Sequence, residues 1–299
     1  MKKLAISPKL RRRFHNLDLL FFLGPYAVVF FVFTILPVIL SYFIAFTRFN
    51  TMEFPVWVGL ENYRRLFLEE EYFVLCLQNS FVLAAISGPI NFMVSFAFAW
   101  VLNEVPPKPR TVLTLLFYLP SMTGGFGVVQ TMLFSSDKYG WINSWLLKLG
   151  IISDPIIWDK TEEIMLPLAI VLMLWTSLGT QFLVFLSSLQ GVDRSLYEAG
   201  SVDGISNRWQ ELYYITLPSI KGQLILNSIL TITAAVSVRA PGLFGTPTYN
   251  YKLYTVTMLS DDYSGRLEMG YVTAISSILL IVSIAVNKIV QYLINKIGK

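Results

Sequence analysis

The sequence predicts an all-α polytopic membrane protein with six transmembrane helices and both termini in the cytoplasm. Three observations predict it. First, of 299 residues 55% are hydrophobic and only 14% charged, against roughly 25% charged in a typical soluble domain. Even a large soluble fold leaves about a quarter of its unfolded surface in water, so this composition excludes an ordinary soluble enzyme. Second, the charges leave long runs empty. Third, the Lys and Arg that remain divide unequally between the segments joining those runs.

A helix crossing the hydrocarbon needs roughly 20 apolar residues. Charge-free runs separate Asp18 from Arg48, Glu71 from Glu104, Arg110 from Asp137, Glu163 from Asp193, and Glu268 from Lys288; a further apolar stretch from Gly222 to Phe244 contains only Arg239. The expected spans are about 19–46, 76–103, 111–134, 164–188, 222–244 and 269–293. They make one transmembrane domain over 19–299, behind a basic segment 1–18. The first run is about twice the length of a signal-peptide apolar region and lacks a small-residue cleavage site, so it reads as a retained span. With the N-terminus inside, inner segments carry 14 Lys and Arg and 6 acids, and outer loops carry 8 and 13. That bias places both termini in the cytoplasm.

The spans are interrupted by Pro37, Pro89, Pro120 and Pro167, and by Gly124, Gly125, Gly127 and Gly179. Polar residues are scattered through them. Ser and Thr often bond across packed membrane helices, so packing is one reading; a polar path through the bundle is the other. Cys76 is the single cysteine and His15 the single histidine. The lone cysteine excludes an internal disulfide or zinc cluster, and the lone histidine, in a basic N-terminal stretch, leaves Ser-His-Asp chemistry little to work with.

The inner loop 189–221 is the most informative segment. Ser195 followed by Glu198 has the spacing of a capping box. Gly204 suits the left-handed end of the resulting short helix. A second amphipathic piece carries Trp209, Leu212 and Tyr213, and Pro218 closes it before the fifth span. The loop is read either as a helix lying on the lipid surface or as a docking knob for a cytoplasmic partner. Gly200 costs a helix roughly 1 kcal/mol relative to Ala, which close approach of another backbone explains.

Glu198, Ala199 and Gly200, then Asp203 and Gly204, then Ile215, Thr216, Leu217 and Pro218, resemble the Glu-Ala-Ala loop of the permease subunits of binding-protein-dependent ABC importers. The chain departs from that pattern at Gly200, the usual second Ala, and at Ile205, a usual Ala. The runs Val58–Tyr63 with Leu66 and Phe67, Asn79–Ser80, Phe117–Pro120, Gly140–Asn143 and Arg266–Ala274 resemble the carbohydrate branch, of the maltose and glycerol-phosphate type. A further departure is Arg239–Pro247, which replaces the Thr-Gly-Gly-Pro usual after the fifth span.

The resemblance implies an ABC type I importer permease fold in a bacterial cell membrane. It implies a heterodimer with a second permease, two cytoplasmic ATPase subunits, and an extracytoplasmic solute-binding protein that delivers the sugar. Glu198, Ala199, Gly200, Asp203, Gly204, Leu217 and Pro218 would then form the ATPase-coupling segment. No cofactor belongs to this chain; ATP and Mg are used by the ATPase. Consistent with that division, the sequence contains no Gly-x-x-x-x-Gly-Lys-Ser/Thr phosphate loop. Gly124, Gly125 and Gly127 read as helix packing. Asp261, Asp262 and Glu69–Glu71 read as solvated charge, and Arg11–Arg13 as a contact with anionic lipid rather than nucleic acid.

A sugar path needs hydroxyl-bonding groups beside an apolar or aromatic wall. Thr176 and Thr180 are four apart on the fourth span and share a face, next to Trp175. Asn227, Thr231 and Ala234 share a face of the fifth, with Ser237 close by. Arg239, read as the one charge within a span, needs water or an anionic partner. The candidates are a uronate carboxylate on cargo, an acid of the companion permease, or a lipid phosphate. The alternative function is a stand-alone ion-coupled transporter, for which Arg239 is the only candidate coupling residue.

Overall fold

The computed structural model describes residues 21–122 and 126–297, without the side chains of 120, 126, 177–180 and 293–297. Its contacts group the chain into two units, one of residues up to 68 with 263–277, the other of 69–262 with the residues from 278 on.

In the first unit, α1 (Phe21–Ile44) is an apolar helix with no buried residue in its central window. Pro37 has no N–H to offer the carbonyl one turn back, and the helix widens into a π turn over Phe31–Ile35 just before it. A two-stranded antiparallel ribbon follows, β1 (Thr47–Arg48) on β2 (Val56–Trp57), then α2 (Glu61–Arg64), which runs into a π turn over Arg65–Glu69. Asn62 Nδ2 donates to the carbonyls of Ala45 (2.8 Å) and Thr47 (2.9 Å), which fixes the ribbon's start. Arg65 pairs with Glu268 and lies 4.3 Å from the ring centroid of Tyr271. Gly270 N–H donates to the Phe49 carbonyl at 3.1 Å, and a Cβ there would stand 2.0 Å from the Thr47 oxygen.

The second unit is built on α3 (Phe73–Asn103), α4 (Pro107–Met122), α5 (Phe126–Leu133), α6 (Trp141–Lys148), α7 (Glu162–Gln190), α8 (Arg194–Val202), α9 (Arg208–Ser219) and α10 (Lys221–Val236); α11 (Val256–Gly265) begins in this unit and ends in the first, and α12 (Met269–Ile297) begins in the first unit and ends in this one. Small residues let the helices of this unit approach closely. Ser87, Gly88, Asn91, Ser95 and Ala99 are buried along one side of α3, and a Cβ on Gly88 would lie 3.5 Å from Ala235 on α10. Nearer the loop 189–221 the packing is aromatic. Phe185 of α7 meets Phe92 and Phe96 edge-on, with centroids 5.1 and 5.4 Å away, over a core that includes Leu102, Leu189 and Ile220.

Among the described residues three helices are separately long and apolar enough to cross a membrane, and five if each sharply bent helix pair counts as one span. The expected third span is distributed over α4 and α5; Gly124 and Gly125 lie outside the described residues. The expected fifth span, 222–244, is corrected: α10 stops at Val236, Ser237 caps it, and the chain turns through Arg239 and Pro241 into a short 3-10 turn, Gly242–Phe244.

Candidate functional site

The loop 189–221 folds as two capped helices packed on each other. Asp193, not Ser195, is the N-cap of α8: its carboxylate accepts from Ser195 N–H at 3.0 Å. That bond holds the Asp193 carboxyl below the usual carboxylate range. The reciprocal capping expected at Ser195 and Glu198 occurs at the next helix instead. Asn207 Oδ1 accepts from Gln210 N–H at 2.8 Å, and Gln210 Oε1 accepts from Ser206 N–H at 3.1 Å. Gly204, at φ +92°, ends α8 as expected, while Ile205 N–H reaches back to the Gly200 carbonyl at 2.9 Å.

Gly200 is buried, and what fills the space above it is not another backbone but side chains of this chain's own. A Cβ at 200 would lie 2.6 Å from Ile215 Cδ1 and 3.2 Å from Ile205 Cδ1. The close approach expected from a partner is therefore made by α9. Tyr197 and Thr216 hydroxyls lie 2.9 Å apart across the same seam. Leu212 and Ile215 are buried, whereas Trp209 and Tyr213, expected on the same apolar face as Leu212, are exposed. What remains open to a partner is the edge Glu198, Ala199, Ser201, Val202, Asp203 and Gly204, with Pro218 also exposed and Leu217 half-buried.

Two contacts that sequence reasoning missed tie this loop to the end of α3. Arg208 bonds Glu104 and Glu211, each at 2.7 Å, and Trp209 lies 5.0 Å, centroid to centroid, from Trp100. A polar cavity of about 570 Å³ lies beneath, lined among others by Arg110, Arg194, Glu198 and Glu211. Pairing across a hundred residues leaves no local spacing signal, although a Glu directly after a long apolar run was visible.

A second cavity, of about 240 Å³, gathers most of the expected pathway residues. Thr176 from α7, Thr231 and Ala234 from α10, and Ser237 and Arg239 beyond it line one space, together with Ser87 and Asn91 of α3. Thr176 donates to its own helix at the carbonyls of Leu172 (3.2 Å) and Met173 (2.9 Å), and Thr231 to that of Asn227 (2.8 Å). With those protons engaged, their oxygens are left as acceptors. Asn91 donates to Gln181 Oε1 at 2.6 Å. Trp175 does not line the cavity, because neighbouring helix positions diverge by about 100°. Asn227 is fully buried one turn below Thr231, its amide unpaired among the described residues, and it does not line the cavity either. The Thr180 side chain lies outside the described residues.

Arg239 is not inside a helix. It sits three residues past the end of α10, more than half exposed, paired with Asp261 of α11. Its partner is therefore an acid of the same chain, and Asp261 is an ion-pair member rather than a merely solvated charge. Other quoted motif residues hold loops. Asn79 Nδ2 donates to the carbonyls of Tyr251 (2.8 Å) and Tyr254 (3.0 Å), and Asn143 bonds the carbonyls of Ser135, Asp137 and Ile156.

Residues 109–299 match the model of a family described as binding-protein-dependent transport system inner membrane component. The chain is similar to the probable ABC transporter permease protein YesP of Bacillus subtilis (30% identity, covering 87% of this chain and 85% of that one). It is also similar to the arabinooligosaccharides transport system permease protein AraP of the same organism (29%, covering 90% and 85%). In fold it resembles a chain in the crystal structure of a bacterial ABC transporter involved in import of the acidic polysaccharide alginate. There the TM-score is 0.77 at 22% identity, over 98% of this chain and 100% of that one.

Proposed function

We propose, from the premise that this chain belongs to the family of binding-protein-dependent transport system inner membrane components, that it is the permease subunit of an ATP-driven importer of sugars or oligosaccharides. One observation carries the coupling part of this reading. Apart from the buried Gly200 the edge Glu198–Gly204 is exposed, yet its helix is locked to α9 by Gly200 and Tyr197, and α9 is paired with the end of α3 through Arg208 and Glu104. A rigid, solvent-facing edge tied to a spanning helix is what a partner needs in order to move that helix. Relatives that carry arabinooligosaccharides, aligned over most of both chains, support the sugar cargo.

The finer architecture belongs to the same reading. The chain crosses a bacterial cell membrane six times with both termini inside, pairs with a second permease, and docks two ATPase subunits that use ATP and Mg. A binding protein delivers cargo to the cavity bounded by Thr176, Thr231, Ala234, Ser237 and Arg239. A stand-alone ion-coupled transporter is less well supported, because Arg239 is neutralised by Asp261 and lies outside any helix. The test is uptake of labelled oligosaccharides into proteoliposomes carrying both permeases and the ATPase, with the binding protein added. Uptake is expected to require ATP and the binding protein. Uptake driven by an ion gradient without ATP overturns the reading.

A further inference from the structure

We infer that Arg239 is a selectivity residue for acidic sugars: its guanidinium exchanges Asp261 for a uronate carboxylate of the cargo. This rests on the cargo cavity of the importer reading and names the class of sugar that the cavity favours.

Four observations carry it. Arg239 is the one charged side chain among those lining the 240 Å³ cavity. The remaining polar lining is hydroxyl and amide, and the hydroxyls of Thr176 and Thr231 already donate to their own backbones. They offer a sugar acceptors, so the strong donor on this wall is the guanidinium. Next, the guanidinium is engaged through Nη2 alone, with Asp261 its partner among the described residues, and its side chain is 57% exposed. Arg carries five N–H donors in a fork that matches a carboxylate, so most of that fork is open. Finally, Asp261 is itself 44% exposed and returns to water when displaced.

Stability does not account for the pair's position. An ion pair this exposed contributes little to holding a fold together, and the arginine needs no counter-ion from a companion subunit, since Asp261 supplies one. A charge placed on the wall of a cavity is instead suited to selecting what enters it. Exchange of one carboxylate for another is close to balanced, so the cargo is held without being trapped. No covalent step is involved: one charge-assisted hydrogen-bond set breaks and an equivalent one forms.

The test measures equilibrium binding of labelled trigalacturonate and of galactotriose to the purified permease–ATPase assembly. The binding protein is left out, so that its own selectivity does not enter. The quantity read is the ratio of acidic to neutral affinity. Arg239→Gln is expected to lower that ratio about tenfold, the loss of one hydrogen bond to a charged group. Asp261→Asn is expected to raise it, because the competing carboxylate is gone. A structural latch predicts that both substitutions act in the same direction. A ratio that moves the same way in both variants, or in neither, overturns the inference. So does a wild-type assembly that binds both sugars equally, or neither, and so does failure of both variants to assemble. None of these outcomes touches the importer reading, which stands or falls on ATP-dependent uptake.

Discussion

Gly200 is a packing residue before it is anything else. Its missing Cβ leaves room for Ile215, whose terminal carbon would otherwise lie at 2.6 Å. Overfilling a packed seam costs roughly 1–3 kcal/mol, so Gly200→Leu is expected to destabilise the loop by about that much. Ile215→Ala in the same chain should return part of the loss. Thermal unfolding of the purified assembly decides this; strictly additive losses in the double variant would show that the two residues do not share a space. Asp193 makes a second residue-scale test. Its carboxyl is lowered by the Ser195 N–H, so its stabilising effect is present above the usual Asp value near about 4 and fades as pH falls through the lowered one. Asn also caps helices but does not titrate. The difference in melting temperature between wild type and Asp193→Asn should therefore shrink on acidification; a pH-independent difference counts against the cap. The sequence signalled a cap here but chose Ser195, because Asp193 and Ser195 are both capping types two residues apart and only geometry separates them.

At the scale of elements, the loop is attached to the end of α3 by Arg208 and Trp209. Arg208 and Glu104 are largely exposed, with side chains 62% and 43% accessible, and a pair of that kind adds about 1 kcal/mol or less to stability. What it does is directional: it fixes α9 against the end of the helix whose other residues, Ser87 and Asn91, line the cavity proposed for cargo. Arg208→Glu is expected to leave melting and ATPase copurification near wild type while cutting uptake per ATP hydrolysed. Adding Glu104→Arg should restore the ratio, since the reversed pair re-forms. A double variant as uncoupled as the single one would dismiss the pair as a link. Helix positions were largely legible from charge-free runs, yet the end of the fifth span was not. Val238, Ala240 and Phe244 continue the apolar pattern past Val236 and are buried, but in a turning loop. An apolar run signals burial; it does not distinguish a helix from a loop folded beneath its neighbours. The break at Ile220, with α9 and α10 bent by 79°, came two residues after the Pro218 that foretold it.

Considered as a whole molecule, the exposed edge of α8 and the 240 Å³ cavity share no residue, and the sequence made the edge easier to find than the cavity. That exposed edge is contiguous in sequence, so the proposed coupling residues Glu198, Ala199, Asp203 and Gly204 lie in one segment. The cavity is assembled from α3, α7, α10 and the loop beyond it, so a search along single helix faces found Thr176, Thr231, Ala234 and Ser237 but passed over Ser87. It also included Trp175, which does not line the space. If the two jobs are separable, one substitution in each region should give opposite phenotypes. Ala234 is exposed to the cavity, and Ala234→Phe fills space that cargo needs. At roughly 1–3 kcal/mol for an overfilled site, cargo affinity should fall about tenfold to a hundredfold, while the ATPase copurifies as before. Val202, 86% exposed at the end of α8, touches no cargo; Val202→Asp puts a charge where a partner's apolar surface would close, and burying it unpaired is costly. That variant should lose the ATPase and keep its affinity for cargo in the isolated permease pair. Pull-down of the ATPase and sugar binding, measured on both variants, separate the cases: loss of both properties in either variant would mean that the two regions are not independent, and that the loop shapes the cavity even without its partner.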